Sequence, residues 1–185
     1  MDSFSSLRFA QAPERLRLRG FAPVVGAKPR VLVLGSMPSE ASLRAGEYYA
    51  HPRNRFWPVA ARSLGFPEGL AYPERLEALK EGGVALWDAI GSCEREGSLD
   101  SAILRPECNP IDALLAAKPS IGRVLLNGGM AARMWDRFAA KIPAVADAVD
   151  SGRVEVVRLP STSPANARFS LERLLEVWRP VLHTP

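Results

Sequence analysis

The chain has 185 residues, 47% of them hydrophobic and 24% charged, with a formal net charge of +4 and a pI near 9.4. That length suits one domain with a sizeable buried core and would leave two cramped, and no apolar run approaches the roughly 18 residues needed to span a bilayer. Two cysteines and two histidines spell out no disulfide framework, no tetrahedral zinc set and no iron–sulfur cluster, so no metal is expected.

The N-terminal stretch MDSFSSLRFAQAPERLRLRGF lacks the apolar segment of a secretory signal, and a cytoplasmic location is expected. Residues 1–28, rich in Arg and Pro, read as an arm packed across a single domain spanning 1–185. RVLVLGS (30–36) is the first strand. A helix begins near Asn54 and runs through RFWPVAARSL, where Asn54 suits an N-cap and Pro58 falls within the first turn. GVALWDA (83–89) is the second strand, and PIDALLAAK places Ile111, Leu114 and Leu115 on one helical face. GRVLLNGG (122–129) is the third strand, followed by the helix GGMAARMWDRF, and RVEVVRLP (153–160) is the fourth. SLERLLEVWRP then sets Leu171, Leu174, Leu175 and Trp178 at helical spacing, with Ser170 as cap and Pro180 as stop. Near-continuous apolar strands alternating with helices predict a parallel sheet covered on both faces, an α/β/α layered domain.

In a parallel sheet the strands' carboxyl ends share one edge, where open α/β folds bind ligands. Here that edge carries Ser36, Asp88, Asn127 and Ser161, each leading into a loop rich in polar residues. The chemistry is narrowed by what is missing: no GxxxxGK[ST] phosphate loop, no three-glycine dinucleotide fingerprint and no GxSxG elbow. A Ser36–His51 nucleophile pair would lack an evident Asp to orient the imidazole. The cations are overwhelmingly Arg, which suits bidentate phosphate contact, although a genome bias toward Arg explains the composition equally well. The stretch EYYAHPRNRFWP (47–58) sets stacking surfaces, cations and an amide side by side, as an anionic partner with flat groups would require.

Four segments taken in order, GSMPSEASLRAGEYYAHPRNRFWPV, GGVALWDAIGSCEREGSLDS, LLNGGMAARMW and LPSTSPANARFS, resemble the uracil-DNA glycosylase superfamily. They are most similar to its hypoxanthine (deoxyinosine)-DNA glycosylase branch, over about residues 30–180. The resemblance implies a three-layer α/β/α sandwich around a four-stranded, mostly parallel sheet. It implies a cofactor-free, monomeric enzyme that hydrolyses the N-glycosidic bond of deaminated bases in DNA: hypoxanthine first, with uracil and xanthine as further candidates. No lysine lies in the motifs, so an intact abasic product is expected.

Residue by residue, the resemblance makes Asn54 the catalytic candidate, an amide that holds the attacking water, because Met37 stands where relatives keep a water-holding polar residue. Tyr49 is the stacking platform, with Tyr48 as its alternative, and Asp88, Ser36 and Asn127 are base-binding candidates. A carboxylate oxygen of Asp88 would accept the N–H that hypoxanthine and uracil present where adenine and cytosine have an acceptor. His51, Arg53 or Arg55, Ser161, Ser163, Asn166 and Arg168 are candidates for DNA contact, and Phe56–Trp57 for the core. Each has a plainer reading: Asn54 as a helix cap, Asp88 as a turn cap, the Ser-Pro run as an ordinary turn. Two other functions stay open, a non-catalytic nucleic-acid binder on this scaffold and a hydrolase of free nucleosides.

Overall fold

The computed structural model describes residues 17–182; residues 1–16 of the expected arm, and His183, lie outside them. The seven strands are β1 (Arg17–Arg19), β2 (Val31–Gly35), β3 (Val84–Asp88), β4 (Ile90–Glu94), β5 (Leu104–Cys108), β6 (Arg123–Asn127) and β7 (Glu155–Leu159). The seven α-helices are α1 (Glu40–Ala45), α2 (Phe56–Leu64), α3 (Tyr72–Glu81), α4 (Ile111–Ala117), α5 (Gly129–Arg137), α6 (Pro143–Asp150) and α7 (Leu171–Leu182).

The four apolar runs form one sheet in the order β3-β2-β6-β7, every pair parallel. Successive strand side chains point to opposite faces, and here both faces are covered. Leu32, Leu34, Ala85, Trp87, Val124 and Leu126 pack with α4, α5 and α6 on one side. Val31, Val33, Val84, Leu86 and Leu125 pack with Phe56, Trp57, Leu79, Leu174 and Trp178 on the other. The three-layer α/β/α sandwich with a four-stranded parallel sheet is therefore the fold.

The helix signals act as expected at most ends. Ser170 Oγ accepts the Arg173 N–H at 3.3 Å, capping α7. Pro180 does not stop that helix, which continues to Leu182. Proline removes one backbone donor near the end, but Leu182 is fully buried and the Val181 carbonyl accepts from Arg123 Nη1 at 3.1 Å, so packing outweighs the break.

A second sheet, β1-β4-β5, is antiparallel and irregular, with register shifts along β4–β5. Before it joins the main body, the chain after β1 covers the free edge of β3: Val24 and Leu86 exchange both backbone hydrogen bonds, at 2.8 and 2.9 Å. An otherwise exposed edge strand is thus protected. The β4–β5 excursion rises from the carboxyl end of β3 and leans over the end of β2. Its tip is tied there by Ser98 Oγ, which accepts the Glu40 N–H at 3.0 Å. No helix among the described residues is long and apolar enough to cross a membrane.

Candidate active site

A cleft of about 530 Å³ opens at the carboxyl ends of β2, β3 and β6, within the size range of small-molecule sites. Its walls come from the loops after β2 and β7 and from the tip of the β4–β5 excursion, while β3 and β6 contribute only their last residues, Asp88 and Asn127; the expected loop after β6 does not line it.

The floor is made by a close approach of β2 and β3. Gly35 is the register partner of Asp88. A Cβ at position 35 would collide with Asp88 Oδ1 and come within 3.0 Å of the Tyr49 hydroxyl. Glycine is required there because the side chains of Asp88 and Tyr49 occupy the space. Asp88 is only 3% exposed, and its Oδ2 is buried with no hydrogen-bond partner. Burial, and after it the charge of Asp100, push the Asp88 carboxyl up to about 7 against the opposing charge of Arg95.

Asp100, on the excursion tip, also lines the cleft and accepts the Ser36 hydroxyl at 2.7 Å. Burial holds Asp100 above the usual carboxylate range, against the Ser36 hydrogen bond and the charges of Arg95 and Arg133. Arg95 is 7% exposed, donates from Nη2 to the Pro38 carbonyl, and keeps Nε and Nη1 buried without protein partners. Two carboxyls thus line the cleft, and a buried guanidinium outside its lining acts on both through its charge. Strongly perturbed groups in a cleft are candidates for function.

Tyr49 sits in the left-handed backbone region, φ 56°, which non-glycine residues enter at a cost of order 1–3 kcal/mol. The strain is held by two contacts. Its ring stacks on Phe56, centroids 4.1 Å apart, and its hydroxyl accepts from Asn127 Nδ2 at 3.0 Å. Phe56 covers one face, and the remaining surface of Tyr49 lines the cleft. Tyr48 is core: it is 3% exposed and its hydroxyl donates to the Ala22 carbonyl at 3.2 Å.

Asn127, at the end of β6, is fully engaged within the protein. Its second N–H goes to Thr162 Oγ1 and its carbonyl accepts the Thr162 N–H, both at 3.0 Å. It therefore ties the Tyr49 loop to the loop after β7. Gly128 beside it has φ 96°, and a Cβ there would meet the Ser161 Cβ at 2.7 Å, so the two loops touch through glycine.

Asn54 lines the cleft at the start of α2. Its Oδ1 accepts the Phe56 N–H at 2.9 Å, an Asx turn leading into the helix, whose N-cap position is Arg55 and not Asn54 as the plainer reading held. That bond fixes the amide plane and leaves Oδ1 one lone pair, and Nδ2 has no hydrogen-bond partner among the described residues. The turn and a role in the cleft are compatible. Ser36, Asp88, Tyr49, Asn54, Asn127, Ser161, Ser163, Asn166 and Arg168 all line this one cleft.

The remaining predicted residues are placed differently. His51 and Arg53 do not line the cleft; His51 Nδ1 accepts the Arg53 N–H at 3.1 Å, closing a local turn, and Arg53 is exposed. Arg55 is not turned to solvent, as a phosphate contact would need. Its guanidinium donates to the carbonyls of Phe169, Ser163 at 2.6 Å and Asn166 at 2.9 Å, clamping the loop after β7. Asn166 Nδ2 folds the same loop by donating to the Ser161 carbonyl at 2.9 Å. Arg168 is exposed at the cleft mouth. Ser36 and His51 form no pair, because the Ser36 hydroxyl is given to Asp100.

Sequence reasoning missed Asp100, Arg95 and Thr162. Each acts through a partner distant in the chain, and Asp100 alone carried a local hint, an acidic residue closing the glycine-serine loop EREGSLD. No group of three or more His, Cys, Asp or Glu among the described residues could hold a metal ion.

Residues 22–181 match the model of the uracil DNA glycosylase superfamily. A hypoxanthine DNA glycosylase of Methanosarcina acetivorans is 34% identical over 164 residues, 88% of this chain and 96% of that protein. One of Methanosarcina barkeri is 37% identical over 114 residues, 61% of this chain and 72% of its relative. A solution NMR structure from Methanosarcina acetivorans, provisionally described as a uracil DNA glycosylase, superposes with a TM-score of 0.75. It is 33% identical, and the match covers 91% of this chain and 98% of that one.

Proposed function

This chain belongs to the uracil DNA glycosylase superfamily, and we propose that its cleft takes a base flipped out of DNA and releases it by hydrolysis. It is a DNA glycosylase for deaminated bases. The single observation that carries the assignment of this cleft is the convergence of Tyr49, Asn54 and the unpartnered Asp88 carboxyl in one site at the sheet's carboxyl edge.

The flipped base lies against Tyr49, held rigid between Phe56 and Asn127. Stacking on such a platform contributes about 1–3 kcal/mol. Asp88 faces the edge of the base. Burial beside Asp100 favours its neutral form, which changes the role expected from the sequence. A carboxylic acid pairs with a lactam edge twice, its carbonyl accepting the ring N–H and its O–H donating to the base carbonyl. The donated proton faces the oxygen on which charge builds as the base leaves, where an ionised carboxylate would repel it. The same acid can also pair with adenine or cytosine, so Asp88 grips the base rather than selecting it. Selection then comes from the lower cost of flipping a mispaired base, a few kcal/mol in ordinary duplex.

Asn54 orients the attacking water through the free lone pair of Oδ1. The bond to the Phe56 N–H prevents the amide from rotating away, so the water waits in place as the sugar becomes oxocarbenium-like. Met37, in the cleft at the end of β2, supplies no hydrogen bond to a water. Asn127 is a positioning residue for Tyr49. Arg168 and the backbone amides of 161–168 meet phosphate at the mouth. A cleft of about 530 Å³ admits a purine as well as a pyrimidine, which supports hypoxanthine within the substrate class. No lysine lines the cleft, which supports release without strand cleavage. The protein acts as one domain and as a monomer.

The test is base release from duplexes containing deoxyinosine, uracil or xanthine, with free deoxyinosine as comparison. Free hypoxanthine and an intact, alkali-labile abasic site are expected from DNA. Binding without base release, or equal turnover of the free nucleoside, overturns the proposal.

A further inference from the structure

Among the described residues, four buried side-chain polar atoms have no hydrogen-bond partner, and three of them belong to two residues: Oδ2 of Asp88, and Nε and Nη1 of Arg95. Asp88 lines the cleft, whereas Arg95 lies outside the lining and is 7% exposed. Arg95 forms no ion pair among the described residues. A buried guanidinium with no carboxylate against it is costly to fold around, so its place needs a reason.

That place is fixed by the segment after β2. Arg95 Nη2 donates to the Pro38 carbonyl. Just before Pro38, Ser36 gives its hydroxyl to Asp100 at 2.7 Å and its carbonyl accepts the Ile90 N–H at 3.0 Å. The Gly35 carbonyl accepts the Ala89 N–H at 2.8 Å. The exits of β2 and β3 and the excursion tip are therefore tied together on one side of the cleft, and Arg95 is bonded into that assembly from behind. Its charge reaches Asp88, Asp100 and the buried Cys93 thiol, and it favours the ionised form of each. Asp88 also faces Asp100 and the hydroxyls of Tyr48 and Tyr49, and Asp100 faces Arg133. Arg95 is the cation that draws the Asp88 carboxyl down.

We propose that Arg95 is a positioning residue for base release: fixed behind the cleft, its charge strengthens the hydrogen bond that Asp88 donates to the carbonyl of the departing base. This rests on the glycosylase reading above. An acid works best when its hold on the proton is matched to the working pH. Left to burial and Asp100, the Asp88 carboxyl would hold its proton too tightly, and Arg95 brings it back toward neutral. As charge gathers on the base oxygen and the shared proton shifts toward it, the negative charge left on Asp88 meets a fixed guanidinium.

The test is single-turnover base release from a deoxyinosine duplex between pH 5 and pH 9, by the wild type, Arg95→Lys and Arg95→Met, with Arg95→Met repeated in Asp88→Asn protein. Replacing a buried charge by an apolar side chain of similar length is often tolerated, and comparing the two backgrounds cancels any cost to the fold. Arg95→Met is expected to slow release about tenfold or more at pH 6 and to move its alkaline fall upward by about one pH unit. Arg95→Lys keeps the charge, recovers most of the rate and returns the fall toward neutral pH. In the Asp88→Asn protein, which has no acid to strengthen, Arg95→Met costs less than about twofold. A purely structural tie would slow both backgrounds alike and leave the midpoint where it was; either result, or Arg95→Lys as slow as Arg95→Met, overturns the proposal. A wild type that releases no base overturns the glycosylase reading instead.

Discussion

Replacing Asp88 with asparagine removes a buried carboxyl of the cleft lining, one oxygen of which is buried without a partner, and its consequence is largest in how stability changes with pH. The carboxyl titrates from an ordinary 3.8 in the unfolded chain to about 7 in the fold. A folded-state value raised above the unfolded one contributes stability that is complete below pH 4 and is lost as pH climbs to about 7. At about 1.4 kcal/mol per pH unit, the wild type gives up roughly 4 kcal/mol across that interval, about 2 of it between pH 5 and pH 7. Asp88→Asn has no proton to lose. Urea unfolding of both proteins at pH 5, 6, 7 and 8 should therefore show the variant gaining on the wild type by about 2 kcal/mol from pH 5 to pH 7, with a plateau above. An amide also mimics the neutral acid, with one acceptor and one donor. Base release by the wild type should fall as pH rises through about 7, whereas the variant should keep its rate to pH 8. Parallel stability curves for the two proteins, or a wild-type rate that rises through pH 7, would refute the neutral-acid reasoning.

Asp100→Asn removes the like charge beside Asp88, so the alkaline fall of the wild-type rate should move to lower pH; an unmoved midpoint means the two carboxyls do not interact. Asn54→Ser retains a side-chain oxygen that can accept the Phe56 N–H, so thermal stability should change little while base release drops roughly a hundredfold, because the water loses its amide. A drop in melting temperature matching the loss of activity would reduce Asn54 to a turn residue. Asn127→Ala breaks three hydrogen bonds that join Tyr49, Asn127 and Thr162, and at about 1 kcal/mol each it should lower the unfolding free energy and weaken substrate binding together. Binding left intact would show that Tyr49 is held by Phe56 alone.

The sheet was legible because a parallel strand covered on both faces reads as a near-continuous apolar run, as β2, β3 and β6 do; β7 is the weakest, with Glu155 and Arg158 exposed. The edge at which the polar residues would meet followed from that parallelism, which is why Ser36, Tyr49, Asn54, Asp88, Asn127 and Arg168 were found together. What those side chains touch was not legible. Arg55 looked like a phosphate contact from its neighbours in sequence, but it serves carbonyls more than a hundred residues away. Asn127 looked free to read a base and is tied to Thr162 and Tyr49. The antiparallel excursion carries exposed, polar and irregular strands such as LRPEC, with no alternation to reveal them. Asp100 arrives at the site on that excursion, together with Arg95, whose charge acts on both carboxyls. Pro180 shows the converse: a strong local stop signal overridden by a buried Leu182.

The central claim is that a flipped base lies on Tyr49, with its lactam edge at Asp88 and a water on Asn54. A crystal structure of the wild type bound to a duplex carrying a non-hydrolysable 2′-fluoro deoxyinosine analogue tests it most directly. The account predicts the hypoxanthine ring against Tyr49, its N–H and carbonyl paired with Asp88, and an ordered water between Asn54 and the anomeric carbon. A base still stacked in the duplex, or held where Asn54 cannot reach the sugar, would contradict it.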